Sequence, residues 1–396
     1  MRLAVLISHP IQYYAPIFRA LAARCDLQVF FGQQLNPNQQ KSAGFGTAFE
    51  WDVDLTSGYP FTFLRNVARN PGPDRFLGCD TPEIAGRLRE ENFDALVVAG
   101  WYLKCHAQAI LAARRIGLPV LVRGDSHLET PQPAARKIAK WVLYPPLLRL
   151  FDGALYVGTK SRAYYTRYGY PAERLFHSPH CVATDWFSVR ATQQARSDLR
   201  TSLGIAGSTT LALFAGKMMP CKRPIDIVTA AARCRAAGAD LQILVAGSGE
   251  LEAQIKRRAG ALAVPIHMLG FCNQSRMPAA YATSDVLVLP SAHETWGLVA
   301  NEALACNRPV IVSDACGCAP DLAADGKAGR VYRPGDTEAL ASALMQLIAA
   351  PPRRDLIQAV SQRHSVAAAV QGVIEGSASL ISRRAASQRR KVGWVR

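Results

Sequence analysis

The sequence predicts an α/β protein of two doubly wound, Rossmann-like domains facing a central cleft, and three observations lead there. Short apolar runs alternate with segments of helical spacing along nearly the whole chain. The rhythm occurs twice, with a polar stretch at 182–201 between its two rounds. The runs are apolar at every position rather than at every second one, so both faces of each strand are buried, as in a parallel sheet sandwiched by helices.

In the first half, residues 3–7, 27–31, 95–99, 119–122 and 154–157 read as strands. Residues 13–24, 82–91, 106–115, 134–150 and 161–168 read as helices between them. The polar, Gly-rich stretch 32–60 is long for a connection in such a fold and reads as a functional loop or insertion. In the second half, 209–215, 241–246, 266–269, 286–289, 310–312 and 330–332 are strands. Helices fall at 225–235, 250–259, 278–283, 298–305 and 337–349. The predicted division is a first domain at 1–188, a second at 189–360 and C-terminal helices at 361–396 that return to the first domain. In open parallel sheets ligands sit at the carboxyl ends of strands, so the cleft between two such sheets is the place to look for chemistry.

Composition narrows the function. The chain has 396 residues, 49% apolar and 19% charged, enough for two cores and inconsistent with disorder or a disulfide-stapled miniature. There is no short-period repeat, which excludes solenoids and propellers. Ten scattered cysteines include no C-x-x-C. Cys316 and Cys318 are the closest pair but lack a second ligand pair at zinc spacing, so free thiols in a reducing cytoplasm are expected. No secretory leader and no uncharged apolar run of membrane-spanning length is read.

The net charge of +16 divides into +6 over 1–188, +4 over 189–360 and +6 over the last 36 residues. Such a balance favours phosphate-bearing partners: nucleotide, anionic lipid or nucleic acid. Nucleic acid is not expected, because no helix-turn-helix, zinc-finger or RNP pattern is present and the basic residues are dispersed except at the tail. The tail 382–396 carries six basic residues and Trp394. It reads either as a weak anchor on the anionic inner membrane face or as a frayed soluble terminus.

Three stretches carry chemistry. Gly216-Lys217 and Lys222 follow a buried strand and put two flexible ammonium groups at the cleft floor, a pattern suited to a diphosphate. A solvated basic turn is the bland alternative. Gly247-Ser248-Gly249 is either a phosphate-binding turn or an ordinary tight strand-to-helix connection. Glu294 ends the loop after strand 286–289, and Glu302 lies about one turn into the next helix among Ala300, Ala303 and Leu304. That helix start offers amide groups to an anion, and a carboxylate can accept two vicinal sugar hydroxyls. In the first domain, Asp125 and His127 follow one strand and His9 another, at positions where they could engage a reacting hydroxyl. His177 and His180, near the boundary, read as structural.

The eight-residue step from Glu294 to Glu302, after a strand and Pro290-Ser291, resembles the E-x7-E pattern of GT-B fold retaining glycosyltransferases of family four. So does the Gly-Lys…Lys segment upstream. Val182-Ala183-Thr184-Asp185-Trp186-Phe187 resembles the family's hinge pattern, and Ser8-His9-Pro10-Ile11-Gln12-Tyr13-Tyr14 the start of one subgroup. The likeness covers nearly the whole chain and is best over 209–345.

The resemblance implies a hexosyl-type transfer from a nucleotide-diphosphate sugar to a glycan or lipid-linked acceptor, with retention, no cofactor and no metal, in polysaccharide biosynthesis. It implies that Lys217 and Lys222 hold the donor diphosphate. Glu294, Thr295, Trp296, Gly297 and Leu298 would meet the donor sugar and phosphates, Glu302 the ribose, and Gly270-Phe271 the base. Lys217 stands where most members carry Arg, keeping the charge and losing the bidentate fork. Ser8-His9-Pro10 replaces the family's Gly-rich first loop. Rival readings are a metal-dependent transferase using Asp52-Val53-Asp54, a sugar-nucleotide 2-epimerase on the same fold, a silent sugar-nucleotide binder and a nucleic-acid-binding protein.

Overall fold

The computed structural model describes residues 1–35, 49–130 and 132–393, with side chains described up to 386. Seven parallel strands form the first sheet: β1 (Arg2–Ile7), β2 (Asp26–Phe31), β3 (Phe61–Phe63), β4 (Ala95–Ala99), β5 (Val120–Gly124), β6 (Gly153–Tyr156) and β7 (Leu175–His177). Six form the second: β8 (Thr210–Ala215), β9 (Leu241–Ala246), β10 (Ile266–Gly270), β11 (Val286–Leu289), β12 (Val310–Ser313) and β13 (Gly329–Tyr332). The spatial orders are β3-β2-β1-β4-β5-β6-β7 and β10-β9-β8-β11-β12-β13. Each order reverses beside its own first strand, which opens a crevice at the carboxyl ends there.

The continuous apolar runs become two-faced cores. On one face of the first sheet Ala4, Leu6, Leu96, Val98, Val120 and Val122 pack together. Their neighbours Leu3, Val5, Val97 and Leu121 pack on the other. The second sheet repeats the arrangement, with Leu211, Leu213 and Leu287 on one side and Ala212, Phe214 and Val288 on the other. Sequence reading missed the edge strands β3 and β7. Each is three residues long, too short for a periodic signal.

The C-terminal helix Val366–Gly393 lies on the first sheet. Its Ala369, Val370, Val373 and Leu380 join the core that holds β1. The stretch Arg354–Ala386 is long and apolar enough to cross a membrane by length and composition. Here that apolar side covers the sheet. Glycines set the approach: a Cβ on Gly372 would stand 1.8 Å from His177 O, and one on Gly376 2.6 Å from a Leu121 methyl. The helix runs from the carboxyl end of β7 at His177 toward Arg383, which donates to Glu173 O ahead of that strand. The basic tail therefore leaves at the strands' amino ends. Trp394, singled out in the sequence, lies outside the described residues.

Gly372→Ala tests this packing. Helix propensity alone favours Ala by ~1 kcal/mol. Contact with a backbone oxygen reverses the sign, and a net loss of about 1–3 kcal/mol is expected in denaturant unfolding. Gly260→Ala, where an added Cβ meets nothing within 4 Å, is the control and gains up to ~1 kcal/mol.

Candidate active site

The cleft floor is built from two glycine loops set back to back. Gly216 follows β8 at φ 147°, and Gly247 follows β9 at φ 146°. A Cβ on Gly247 would sit 1.9 Å from Gly216 O, and one on Gly249 2.6 Å from Met218 O. Met218 N donates to Ser248 O at 2.9 Å across the join. The Gly-Ser-Gly turn is thus a packing device, and Gly247 and Ser248 also face the cleft.

Lys217 and Lys222 both reach this floor. Lys222 Nζ donates to Glu294 Oε2. Burial, then the charge of Lys222, lowers the pKa of Lys217. Two ammonium groups around one carboxylate leave an excess positive charge in a partly desolvated place, which favours an anionic ligand.

The loop after β11 is held from both sides. Gly317 N donates to Glu294 O at 3.0 Å, and Cys318 N to Trp296 O at 3.0 Å. A Cβ on Gly317 would fall 1.9 Å from Thr295 O. Cys316 and Cys318 are buried against this loop, and burial pushes the Cys316 thiol up to about 12. Gly297, at φ 105°, turns the chain into the helix Leu298–Ala305. Leu298 and Val299 line the cleft, so the first-turn amides border it. One turn on, Glu302 accepts from Tyr281 OH at 2.6 Å. Burial lifts its pKa to about 7 against that hydrogen bond.

The first domain supplies the opposite wall. Gln12, Tyr13, Asp125 and His180 face the cavity. His180 Nε2 stands 3.6 Å from Asp125 Oδ2, and its ring lies between Tyr13 and Trp296 at 6.1 and 5.5 Å. Burial lowers the pKa of His180 and keeps it neutral. Burial opposes the charge on Asp125, but the close approach of His180 and the positive field of Arg123 prevail and keep it ionised.

The polar stretch after β2 bridges the domains, its residues 36–48 lying outside the described chain. Trp51 lines the cavity and Phe49 packs on Phe271 at 4.7 Å. Asp52 accepts from Ser275 N at 3.1 Å, whereas Asp54 accepts from Thr56 N at 3.0 Å and pairs with Arg19. The Asp52-Val53-Asp54 match thus divides into two unrelated turn contacts. Among the described residues no group of three or more His, Cys, Asp or Glu side chains is placed to hold a metal ion.

The cavity measures about 410 Å³, of the size that suits a small-molecule ligand. It gathers Gly216, Lys217, Lys222, Phe271, Glu294, Thr295, Trp296, Gly297, Leu298, Glu302 and Asp125 from the sequence reading. Three expected residues are not in its lining. Gly270 instead accepts from Gly247 N at 2.7 Å beneath Phe271. His127 meets Glu294 O through Nε2 at 3.1 Å, so it steadies the loop rather than facing a hydroxyl. His9 pairs with Ser8 Oγ at 2.9 Å, and burial lowers its pKa to about 4. His180, read as structural, is the correction in the other direction. Sequence reading also missed Gln12, Tyr13 and Trp51 as wall residues, and named Ser248 only within a turn of two readings. Only the strand-end position of Gln12-Tyr13 and Ser248 signalled them.

Residues 195–363 match the family described as glycosyl transferases group 1, and residues 11–179 match the glycosyl transferase 4-like domain. D-inositol 3-phosphate glycosyltransferase of Rhodococcus erythropolis is 30% identical over 349 residues, covering 79% of this chain and 75% of that one. A GDP-mannose-dependent alpha-(1-6)-phosphatidylinositol monomannoside mannosyltransferase of Mycolicibacterium smegmatis is 27% identical over 301 residues, covering 72% and 75%. The crystal structure of Anabaena Alr3699/HepE in complex with UDP superposes with a TM-score of 0.72 at 18% identity, covering 96% of this chain and 100% of that one. The last likeness bears on the fold alone, which is GT-B.

Glu302 yields a sign-definite prediction. Its folded pKa of about 7 exceeds the ordinary 4.5. The folded state therefore binds the proton more tightly, and stability falls as pH rises between those values. Glu302→Gln is expected to stabilise the ligand-free protein by ~2–3 kcal/mol at pH 8 and by little at pH 4.

Proposed function

The chain belongs to the group 1 glycosyl transferases, and on that premise we propose that it transfers a sugar from a nucleoside diphosphate sugar to a hydroxyl of a glycan or lipid-linked acceptor, with retention of configuration. The observation that carries the proposal is convergence. Lys217, Lys222, the start of helix Leu298–Ala305 and Glu302 border one cavity between the two sheets. The HepE structures in complex with UDP and with UDP-glucose, and the GDP-mannose-dependent relatives, favour a nucleotide-linked donor.

In this reading the bond between the anomeric carbon and the diphosphate oxygen breaks first. The departing diphosphate gains negative charge, and the two ammonium groups and helix amides oppose it in place. The acceptor oxygen then bonds to the same face of the sugar, and its proton passes to a phosphate oxygen. Glu294 orients the sugar, with its carboxylate held by Lys222 and its main chain by Gly317 and His127. Glu302 takes the ribose hydroxyls, and Phe271 with Trp51 flanks the base. Asp125 with His180 faces the acceptor hydroxyl. In this reading the reaction needs no metal, because Lys217, Lys222 and the helix amides together oppose the charge of the diphosphate. A role in cell-surface polysaccharide synthesis, on the cytoplasmic side, fits a lipid-linked acceptor.

Thermal shift against UDP, GDP and ADP and their sugars tests the donor class, since a ligand at 100 times its Kd stabilises by ~2.7 kcal/mol. Lys222→Ala is expected to lower turnover by roughly 10²–10³, with EDTA leaving the wild-type rate unchanged. Product analysis with donor alone separates transfer from epimerisation. No shift with any nucleotide, or near-normal turnover in Lys222→Ala, overturns the assignment.

A further inference from the structure

The helix Ala134–Leu148 is turned inside out relative to a surface helix of a water-soluble domain. At 3.6 residues per turn, Lys137, Lys140, Tyr144 and Leu148 fall on one stripe. From Lys140 on, that stripe faces the first domain: Leu148 is buried, Tyr144 packs on Tyr168 at 5.2 Å, and Lys140 Nζ sits 5.3 Å over the Tyr144 ring, while Lys137, a turn earlier, is exposed. The opposite stripe is Ala135, Ile138, Ala139, Val142, Leu143 and the pair Pro145-Pro146. Ile138 is 68%, Val142 61% and Leu143 62% exposed, with Trp141 beside them at 60%. A contiguous apolar face of this kind marks an interaction surface.

We propose that this face docks on an anionic lipid bilayer. Charge decides between the occupants. Residues 133–149 hold no carboxylate, and Arg136, Lys137 and Arg149 are exposed. Two copies meeting through the face would bring like charges together in a low-dielectric contact, whereas anionic headgroups neutralise them. Lys and Arg stems reach from an apolar face to headgroup level, and Trp141 suits the same depth. The proposal does not rest on the transfer reading, since it concerns a different surface. It does place the cleft. Leu128, 39% exposed, lies three residues beyond Asp125 of the cavity wall and leads into the helix, so a docked helix brings that wall to the membrane. The basic tail leaves at the amino ends of the strands, the far edge from the cleft, and gives no such placement.

Flotation of the full chain with phosphatidylglycerol–phosphatidylcholine vesicles, against phosphatidylcholine alone, is the test. Wild type is expected to float with the anionic vesicles, more weakly in high salt. Ile138→Glu/Val142→Glu is expected to cut the bound fraction by about tenfold or more. Both residues are exposed, so the thermal midpoint and the nucleotide-induced shift stay at wild-type values. Arg389→Ala/Arg390→Ala/Lys391→Ala is expected to retain binding within about twofold. Binding lost in the tail variant and kept in the helix variant overturns the proposal. So does a dimer by light scattering that Ile138→Glu/Val142→Glu dissociates while vesicle binding is absent.

Discussion

The site hangs on one loop whose main chain is gripped from both domains. Residues 290–297 leave β11, and three independent contacts fix them. The backbone of Gly317 and Cys318 runs alongside from its own domain. His127 reaches the Glu294 carbonyl from the other. Trp296 crosses the cleft to Gly158, where a Cβ would meet its ring at 2.4 Å. Side chains displayed on such a loop keep their geometry without relying on each other. The Glu294 carboxylate can then pair with Lys222 and still face the cavity.

Electrostatics and packing divide the labour. Backbone hydrogen bonds and glycine contacts set positions, while buried charges set the preference for an anion. The ligand-free floor is not neutral, and Glu302 beside it is pushed toward protonation by burial. A nucleotide, as proposed, would bring phosphate charge to the lysines and hydroxyls to the carboxylate. Stability and function are therefore set against each other at this point of the fold.

Much of this was legible in the sequence for physical reasons. Strands buried on both faces must be apolar throughout, so ten of them stand out, from residues 3–7 to 310–312, together with the short 330–332. Glu302 stands out because a carboxylate among Ala300, Ala303 and Leu304 needs a partner. What stayed hidden depends on contacts distant in sequence. His180 became a wall residue only when Asp125 and Trp296 were brought to it, and Trp51 only when its segment crossed to the second domain. For His127, position after a strand does not say whether a ring faces a cavity or a neighbouring carbonyl, and its Nε2 meets the Glu294 carbonyl. The helix at 134–148 was recognised from its period, but period alone cannot tell which stripe is turned inward.

One joint between the lobes is a shared helix cap. The helix Thr159–Arg167 brings no capping side chain of its own, since Gly158 occupies the cap position. Asp321 of the other domain lends its carboxylate instead, accepting from Thr159 N at 3.0 Å and from the Thr159 hydroxyl at 2.8 Å. The turn at Thr159 therefore keeps its cap only through a contact made across the cleft, so the facing domain stabilises the start of this helix.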